Sequence, residues 1–196
     1  MKITPFATEH FFAQYEFSTP YQLCNSDCET VTVAELLAIA GVDLAELGQL
    51  SLGYTESQGN PQLREAIAAD YTAAPDDIVI LGTPVEGIYL AARALLNPGD
   101  EVVVLSPAYD ALINLFEHVA GSDNVKKWRF QPTPTGWELD FDELTGLITP
   151  RTRLLVVNFP HNPTGYLPRP GQLDKLVQLA EQHNLWIFCD EMYHGL

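Results

Sequence analysis

Two apolar segments of the sequence end in polar residues that could bind a ligand. Leu154–Val157 is followed by Asn158 and a loop containing Asn162. Leu185–Cys189 runs directly into Asp190. A carboxylate that ends an apolar strand loses hydration and needs a cationic or N–H partner, and asparagine amides can donate to an anionic oxygen. Because open α/β sheets bind ligands at the carboxyl ends of their strands, the pattern predicts a polar site there. Turn formation is the alternative interpretation for each asparagine.

A second candidate is the turn that Gly82, Thr83 and Pro84 make between an apolar segment and a predicted helix. The dipole and free N–H groups of a helix N-terminus suit a phosphate. Pro84 removes one donor, so Thr83 and the amides of Val85 and Glu86 would carry the contact. An ordinary capped turn is the alternative, and it is favoured when the turn is considered by itself.

Aromatic and histidine side chains stand beside these turns. Tyr109 follows another apolar segment and could stack on a planar ligand, although a packing role is the commoner one for a lone tyrosine. Tyr193 comes three residues after Asp190. His161 and His194 have no evident ligand partners, so we expect them at the surface or behind the residues that contact a ligand.

The elements that must position these residues alternate along the chain. Short apolar segments are separated by patterns typical of helices, which predicts an α/β fold: a three-layer, doubly wound, mainly parallel sheet. The predicted strands are Ile78–Leu81, Glu101–Leu105, Val125–Phe130, Leu154–Val157 and Leu185–Cys189. The predicted helices after the first strand cover residues 85–96, 108–119, 141–147 and 172–183.

The first part of the chain has a different character. Residues 1–30 are rich in aromatic residues and are expected to be irregular, either an arm that packs on the domain or a partner subunit, or ordinary surface cover. Thr32 and Asn60 are predicted N-caps of two helices, the first ending at Gly41 and the second beginning at Pro61.

Composition excludes several classes of function. The net charge of −16 leaves no basic surface for nucleic acid. No segment has the roughly 18 apolar residues of a membrane span, and the N-terminus lacks the apolar core of a signal peptide. Cys24, Cys28 and Cys189 form no zinc-binding set, so no metal site is expected, and their sparse use fits a reducing compartment. We therefore expect a cytoplasmic protein.

Taken together and in this order, the motifs resemble those of fold-type I pyridoxal-phosphate enzymes, and more narrowly of class I and II aminotransferases. The resemblance runs from about Tyr15 to Leu196. It implies that residues 1–50 form an N-terminal arm and part of the small domain, and that residues 51–196 form the N-terminal part of the large, cofactor-binding domain. The segments that carry it are GYTESQGNPQLREAIA, NPGDEVVVLSPAY, NFPHNPTG and DEMYHGL.

The resemblance also implies roles toward pyridoxal 5'-phosphate. Asp190 would pair with the pyridine nitrogen and keep it protonated, which makes the ring an electron sink. Asn162 and Tyr193 would hydrogen-bond the phenolic oxygen of the ring, and Tyr109 would stack on it.

Two further roles follow from the same resemblance. Thr83, with the backbone of Pro84 and Val85, would hold the phosphate. Tyr54 matches a tyrosine that reaches the phosphate of the neighbouring subunit, which implies a homodimer.

The implied function is transfer of an amino group between an amino acid and a 2-oxo acid. A pyridoxal-phosphate-dependent C–S lyase, or another eliminating enzyme, shares these motifs. A non-catalytic binding or interaction protein that has lost the lysine is the alternative outside this class.

The sequence departs from the family in one respect. The Schiff-base lysine is expected on a strand beyond Asp190, as is the arginine for the substrate carboxylate. The lysines present lie outside any matching motif: Lys2, Lys126, Lys127 and Lys175. We therefore expect a truncated chain that is inactive by itself. The family's sheet places two later strands between Ile78–Leu81 and Leu185–Cys189, and without them Ile78–Leu81 would have no neighbour.

Overall fold

The computed structural model describes residues 3–196, which form two compact units. One unit comprises the N-terminal segment up to Phe17 together with Thr83–Leu196. The other is Ser18–Gly82. The predicted site residues other than Tyr54 lie in the first unit.

The first unit is built around a sheet of five strands in the order β3-β2-β1-β4-β5. Neighbouring strands among β1, β2, β4 and β5 pair in parallel, and β3 pairs antiparallel with β2. This mixed, mainly parallel sheet with helices confirms the predicted α/β class. The strands are β1 (Glu101–Ser106), β2 (Val125–Thr133), β3 (Gly136–Leu139), β4 (Thr152–Asn158) and β5 (Trp186–Asp190).

The described residues also form α-helices. They are α1 (Ala7–Tyr15), α2 (Val33–Ala40), α3 (Leu44–Leu47), α4 (Pro61–Asp70), α5 (Pro84–Leu95), α6 (Ala111–Ala120), α7 (Phe141–Leu147) and α8 (Gln172–His183). Short 3₁₀ turns lie at Pro75–Asp77 and Ser122–Asn124. Among residues 3–196, no helix combines the length and the apolar character that crossing a bilayer requires.

The two faces of the central strands enter two separate cores because successive side chains alternate across a sheet. Val102 and Val104 pack in a core with residues of α5 and α6. Val103 and Leu105 pack in a second core that includes Trp128 of β2 and residues of α7 and α8. Burial on both faces explains why these strands are continuously apolar in sequence.

The amino-terminal ends of the strands are held by ion pairs around Glu101, whose side chain is only 3% exposed. Lys126 Nζ lies 2.6 Å from Glu101 Oε2, and Arg151 pairs with the other carboxylate oxygen. The Thr149 hydroxyl donates to Oε2 at 2.6 Å. Burial by itself would raise the pKa of Glu101, but Lys126, Thr149 and Arg151 together hold that pKa below its ordinary value.

Three features differ from the sequence-based expectations. Ile78–Leu81 is extended but is not a strand, because no strand of the described chain lies beside it; the Ile80 amide donates instead to the Gln58 carbonyl at 2.8 Å. Residues 7–15 form α1 rather than irregular chain. The antiparallel strand β3 was not predicted.

The Ser18–Gly82 unit confirms both predicted caps. The Thr32 hydroxyl accepts from the Glu35 amide, and Asn60 Oδ1 accepts from the Gln62 amide at 2.9 Å. Gly59 has φ of +109°, and a Cβ there would lie 2.4 Å from Ile80 Cγ1. No other residue fits that position without movement of the chain.

Candidate functional site

The carboxyl ends of β1, β4 and β5 lie at one edge of the sheet, as the sequence predicts. Asn158 and Asp190, the last residues of β4 and β5, are directly paired in the register of these two strands. Their loops therefore begin side by side.

Asn158 joins these two loops. Its side-chain amide donates to the Asp190 carbonyl at 2.8 Å, and its Oδ1 accepts from the Asn162 backbone N–H at 2.8 Å. The residue is only 2% exposed. Asn158 therefore supports the loops from behind, and donation from its amide to an anionic ligand oxygen stays a prediction.

Asn162 and Tyr193 meet in space although they are 31 residues apart in sequence. The Asn162 side-chain amide donates to the Tyr193 hydroxyl at 3.3 Å. Both groups can donate hydrogen bonds. They form a pair that could hold an anionic oxygen on a ligand.

The Asp190 carboxylate has few partners that compensate for its loss of hydration. Burial raises its pKa above the ordinary value, the Met192 amide that donates to Oδ1 at 3.1 Å lowers it, and the charge of Glu191 raises it further. No cationic side chain among residues 3–196 forms an ion pair with it. A cationic ligand group would relieve this cost.

Tyr109 lies at the same edge, on the loop after β1. Its ring packs against the core shared with α5 and α6. Its hydroxyl donates to Glu9 Oε1 of α1 at 2.6 Å. Burial raises the pKa of Tyr109 most, followed by Glu9, and the charges of Asp110 and Asp190 act in the same direction. The phenol is therefore neutral and donates a hydrogen bond to the Glu9 carboxylate.

Thr83 is the N-cap of α5, and its hydroxyl accepts from the Glu86 amide at 3.4 Å. Pro84 is the first helical residue, and Val85 packs against the core. The geometry is that of an ordinary capped turn. Capping and anion binding use the same helix end, so the role of Thr83 toward a phosphate stays a prediction.

His161 is a residue whose importance the sequence did not reveal. It is 2% exposed, with Nε2 lying 2.8 Å from the Pro107 carbonyl and Nδ1 lying 2.7 Å from Thr164 Oγ1. A carbonyl only accepts, so Nε2 carries the proton and Nδ1 accepts from the Thr164 hydroxyl. Burial lowers the pKa of His161 to about 4. The neutral ring joins the loops after β1 and β4, so a surface position is excluded, and a position behind the ligand-contacting residues stays a prediction.

The remaining predicted residues lie elsewhere. Tyr54 belongs to the Ser18–Gly82 unit, with its side chain fully exposed. Lys126 pairs with Glu101, Lys127 lies 3.6 Å from Glu117, and Lys175 lies over the Phe141 ring. Lys2 is outside the described residues. None of the described lysines lies beside Asp190.

Comparison with known families supports the sequence resemblance. Residues 18–196 match the family described as aminotransferase class I and II. The aspartate aminotransferase of Thermotoga maritima is 34% identical over 153 residues, which cover 73% of this chain and 39% of that protein.

Two other similarities extend over nearly the whole chain. Capreomycidine synthase of Streptomyces vinaceus is 34% identical over 192 residues, which cover 96% of this chain and 48% of that protein. A crystal structure of a PLP-dependent aminotransferase from Streptococcus suis superposes with a TM-score of 0.87 at 27% identity, over 97% of this chain and 52% of that one. The chain thus spans between about a third and a half of the length of these proteins.

Proposed function

This chain belongs to the class I and II aminotransferase family, and from that premise we propose that the complete protein transfers an amino group between an amino acid and a 2-oxo acid with pyridoxal 5'-phosphate as cofactor. The observation that carries the proposal is the desolvated Asp190 carboxylate, which pairs with no cationic side chain of residues 3–196, together with the Asn162–Tyr193 pair. Relatives named aspartate, arginine–pyruvate and N-succinyldiaminopimelate aminotransferases support the reaction class.

The donor set at the sheet edge fits this cofactor. Pyridoxal phosphate offers a ring nitrogen that can be protonated, an anionic phenolic oxygen and a phosphate. Asp190 would hold the protonated nitrogen, which would give the carboxylate the cationic partner that the described part of the chain does not supply. Asn162 and Tyr193 would donate to the phenolic oxygen. When bound, the cofactor supplies an electron sink for the charge that develops at the substrate carbon.

The other residues would bind and orient. Tyr109 would stack on the cofactor ring. The hydrogen bond from its neutral hydroxyl to Glu9 would hold the tyrosine ring in place. Thr83, with the backbone of Pro84 and Val85 at the start of α5, would hold the phosphate. Asn158 and His161 would keep the surrounding loops fixed.

We further propose the domain and subunit organisation that the family implies. Residues 1–50 would form an N-terminal arm with part of the small domain, and residues 51–196 the N-terminal part of the large domain. Tyr54 would reach the phosphate site of a second subunit in a homodimer, which agrees with its full exposure in the single chain.

Titration with pyridoxal phosphate tests the proposal directly. We expect the complete product of this gene to bind it, and Asp190→Asn to weaken binding by about 100-fold, because an amide cannot keep the ring nitrogen protonated. Asp123→Asn, an exposed site in a 3₁₀ turn, is the matched control and should bind like the wild type. The visible absorbance of the cofactor changes when it binds, so the titration measures binding without requiring turnover.

Two results would overturn the assignment. One is a wild-type protein that does not bind the cofactor. The other is equal affinity in Asp190→Asn and the wild type. A reading frame that continues past Leu196 into a lysine-bearing strand would exclude the non-catalytic alternative.

Cyclisation of an amino acid with the same cofactor is a second candidate. The observation that supports it is a solved structure described as a PLP-dependent cyclase, which superposes over 96% of this chain with a TM-score of 0.85 at 28% identity. Product analysis separates the two reactions. Transfer needs a 2-oxo acid and forms a new amino acid, whereas cyclisation proceeds without an amino-group acceptor.

A further inference from the structure

The N-terminal segment is tied to the loop that carries Tyr109. The Thr8 backbone N–H donates to Asp110 Oδ2 at 3.0 Å, and the Asn114 side-chain amide donates to the Pro5 carbonyl at 3.2 Å. These bonds join parts of the chain that are more than 100 residues apart in sequence. These hydrogen bonds therefore seat the N-terminal segment, that is, hold it at a defined position beside the candidate site.

An apolar contact reinforces this seat. Phe6, immediately before α1, packs against the core to which Tyr109 and Val85 also contribute. The ring of Tyr109 and the start of α5 thus share a packing environment with the N-terminal segment. Both belong to the proposed cofactor site.

The bond from Tyr109 to Glu9 completes the arrangement. The hydroxyl at the tip of the ring donates to the Glu9 carboxylate at 2.6 Å, within the range of charge-assisted bonds. Core packing holds one side of the ring, whereas this bond holds its tip. Without the bond, rotation about the side-chain torsions would be less restricted.

We infer that Glu9 is a positioning residue, which orients Tyr109 for stacking on the cofactor and thereby couples the seating of α1 to cofactor binding. The inference rests on the proposed function. Coupling of this kind is reciprocal, so a cofactor that favours the held orientation of Tyr109 must also favour the seated form of α1.

A purely structural role for Glu9 agrees less well with the contacts. No residue of α1 is buried, and Glu9 itself is exposed, so the bond contributes little to overall folding. Its remaining effect is on the orientation of a single ring. Cofactor affinity should therefore respond to Glu9, while unfolding should not.

The test measures pyridoxal phosphate affinity and backbone hydrogen exchange in the complete gene product. We expect Glu9→Ala and Tyr109→Phe each to weaken binding by about fivefold, and the double variant to bind no more weakly than Tyr109→Phe. Glu9→Gln keeps an acceptor oxygen and should bind within about twofold of the wild type. Glu65→Ala, at an exposed position of α4, is the matched control.

Hydrogen exchange gives the second readout. Addition of the cofactor should slow exchange of the amides of Ala7–Tyr15 in the wild type and Glu65→Ala, and this slowing should be lost in Glu9→Ala and Tyr109→Phe. Equal affinities with unchanged protection in all variants would overturn the inference while leaving the proposed function intact. A wild type that does not bind the cofactor would overturn the proposed function itself.

Discussion

The two ends of the parallel sheet treat a strand-terminal carboxylate in opposite ways. At the amino-terminal end, Glu101 is surrounded by Lys126, Arg151 and the Thr149 hydroxyl, and its pKa is lowered. At the carboxyl-terminal end, Asp190 has one backbone donor, no cation among the described residues, and a raised pKa. The first end is satisfied by the chain itself, whereas the second leaves a charge for something else to satisfy.

The two carboxylates therefore affect the stability of the fold in opposite ways. The charge of Glu101 stabilises the fold above the ordinary glutamate pKa, and that contribution is lost as the pH falls through the lowered pKa. The contribution of Asp190 to stability depends on pH with the opposite sign. Its protonated form is favoured in the folded state, so stability is gained as the pH falls through the raised pKa. A carboxylate kept at a cost to stability is a candidate for binding.

The largest expected effect is at Glu101. Glu101→Gln leaves Lys126 without its buried partner, and we expect the free energy of unfolding to fall by about 4 kcal/mol in chemical denaturation. Glu138→Gln is the matched control on β3, where the pair with Arg169 is exposed and 3.7 Å long. It should change stability by less than about 0.5 kcal/mol. Equal losses at the two positions would contradict the structural role of Glu101.

The next effect concerns His161 at the carboxyl-terminal end. Its pKa is lowered to about 4, so the neutral ring stabilises the fold above its unfolded pKa near 6.5, and this stability is lost as the pH falls toward 4. The loss between these values is about 3 kcal/mol. His161→Gln should flatten this part of the stability–pH curve, and His10→Gln, at an exposed position of α1, should not.

The smallest effect is at Asp190 and has the opposite sign to that of Glu101. Asp190→Asn removes a desolvated charge, and we expect the protein without cofactor to keep its stability or to gain up to about 1 kcal/mol near neutral pH. Chemical denaturation without cofactor measures it. A loss comparable to that of Glu101→Gln would remove the contrast between the two ends of the sheet.

Sequence alone predicts the parts of the fold whose cause is local. Burial on both faces makes Leu154–Val157 continuously apolar, and Thr32 and Asn60 mark helix starts through bonds within three residues. The strand β3 lacks such a signal because three of its four residues are exposed. Helix α1 has no side-chain cap, and its segment is held by bonds to Asp110 and Asn114, far along the chain.

In the candidate site, too, some contacts could be predicted from the sequence and others could not. The family resemblance implies that Asn162 of NFPHNPTG meets Tyr193 of DEMYHGL, and the Asn162–Tyr193 contact agrees with it. His161 also lies in NFPHNPTG, yet its role depends on the Pro107 carbonyl, 54 residues earlier. Spacing within a motif carries no information about such a partner. The contact of Glu9 with Tyr109 escaped prediction for the same reason.

Asn158 has a further consequence for how the molecule assembles. A slip of β5 by one residue against β4 would turn Asp190 to the opposite face of the sheet. It would also move the Asp190 carbonyl away from the Asn158 amide, so a misaligned strand would leave a buried polar group without its partner. One asparagine thus penalises misaligned pairings of β4 and β5 in which the Asp190 carboxylate is misplaced.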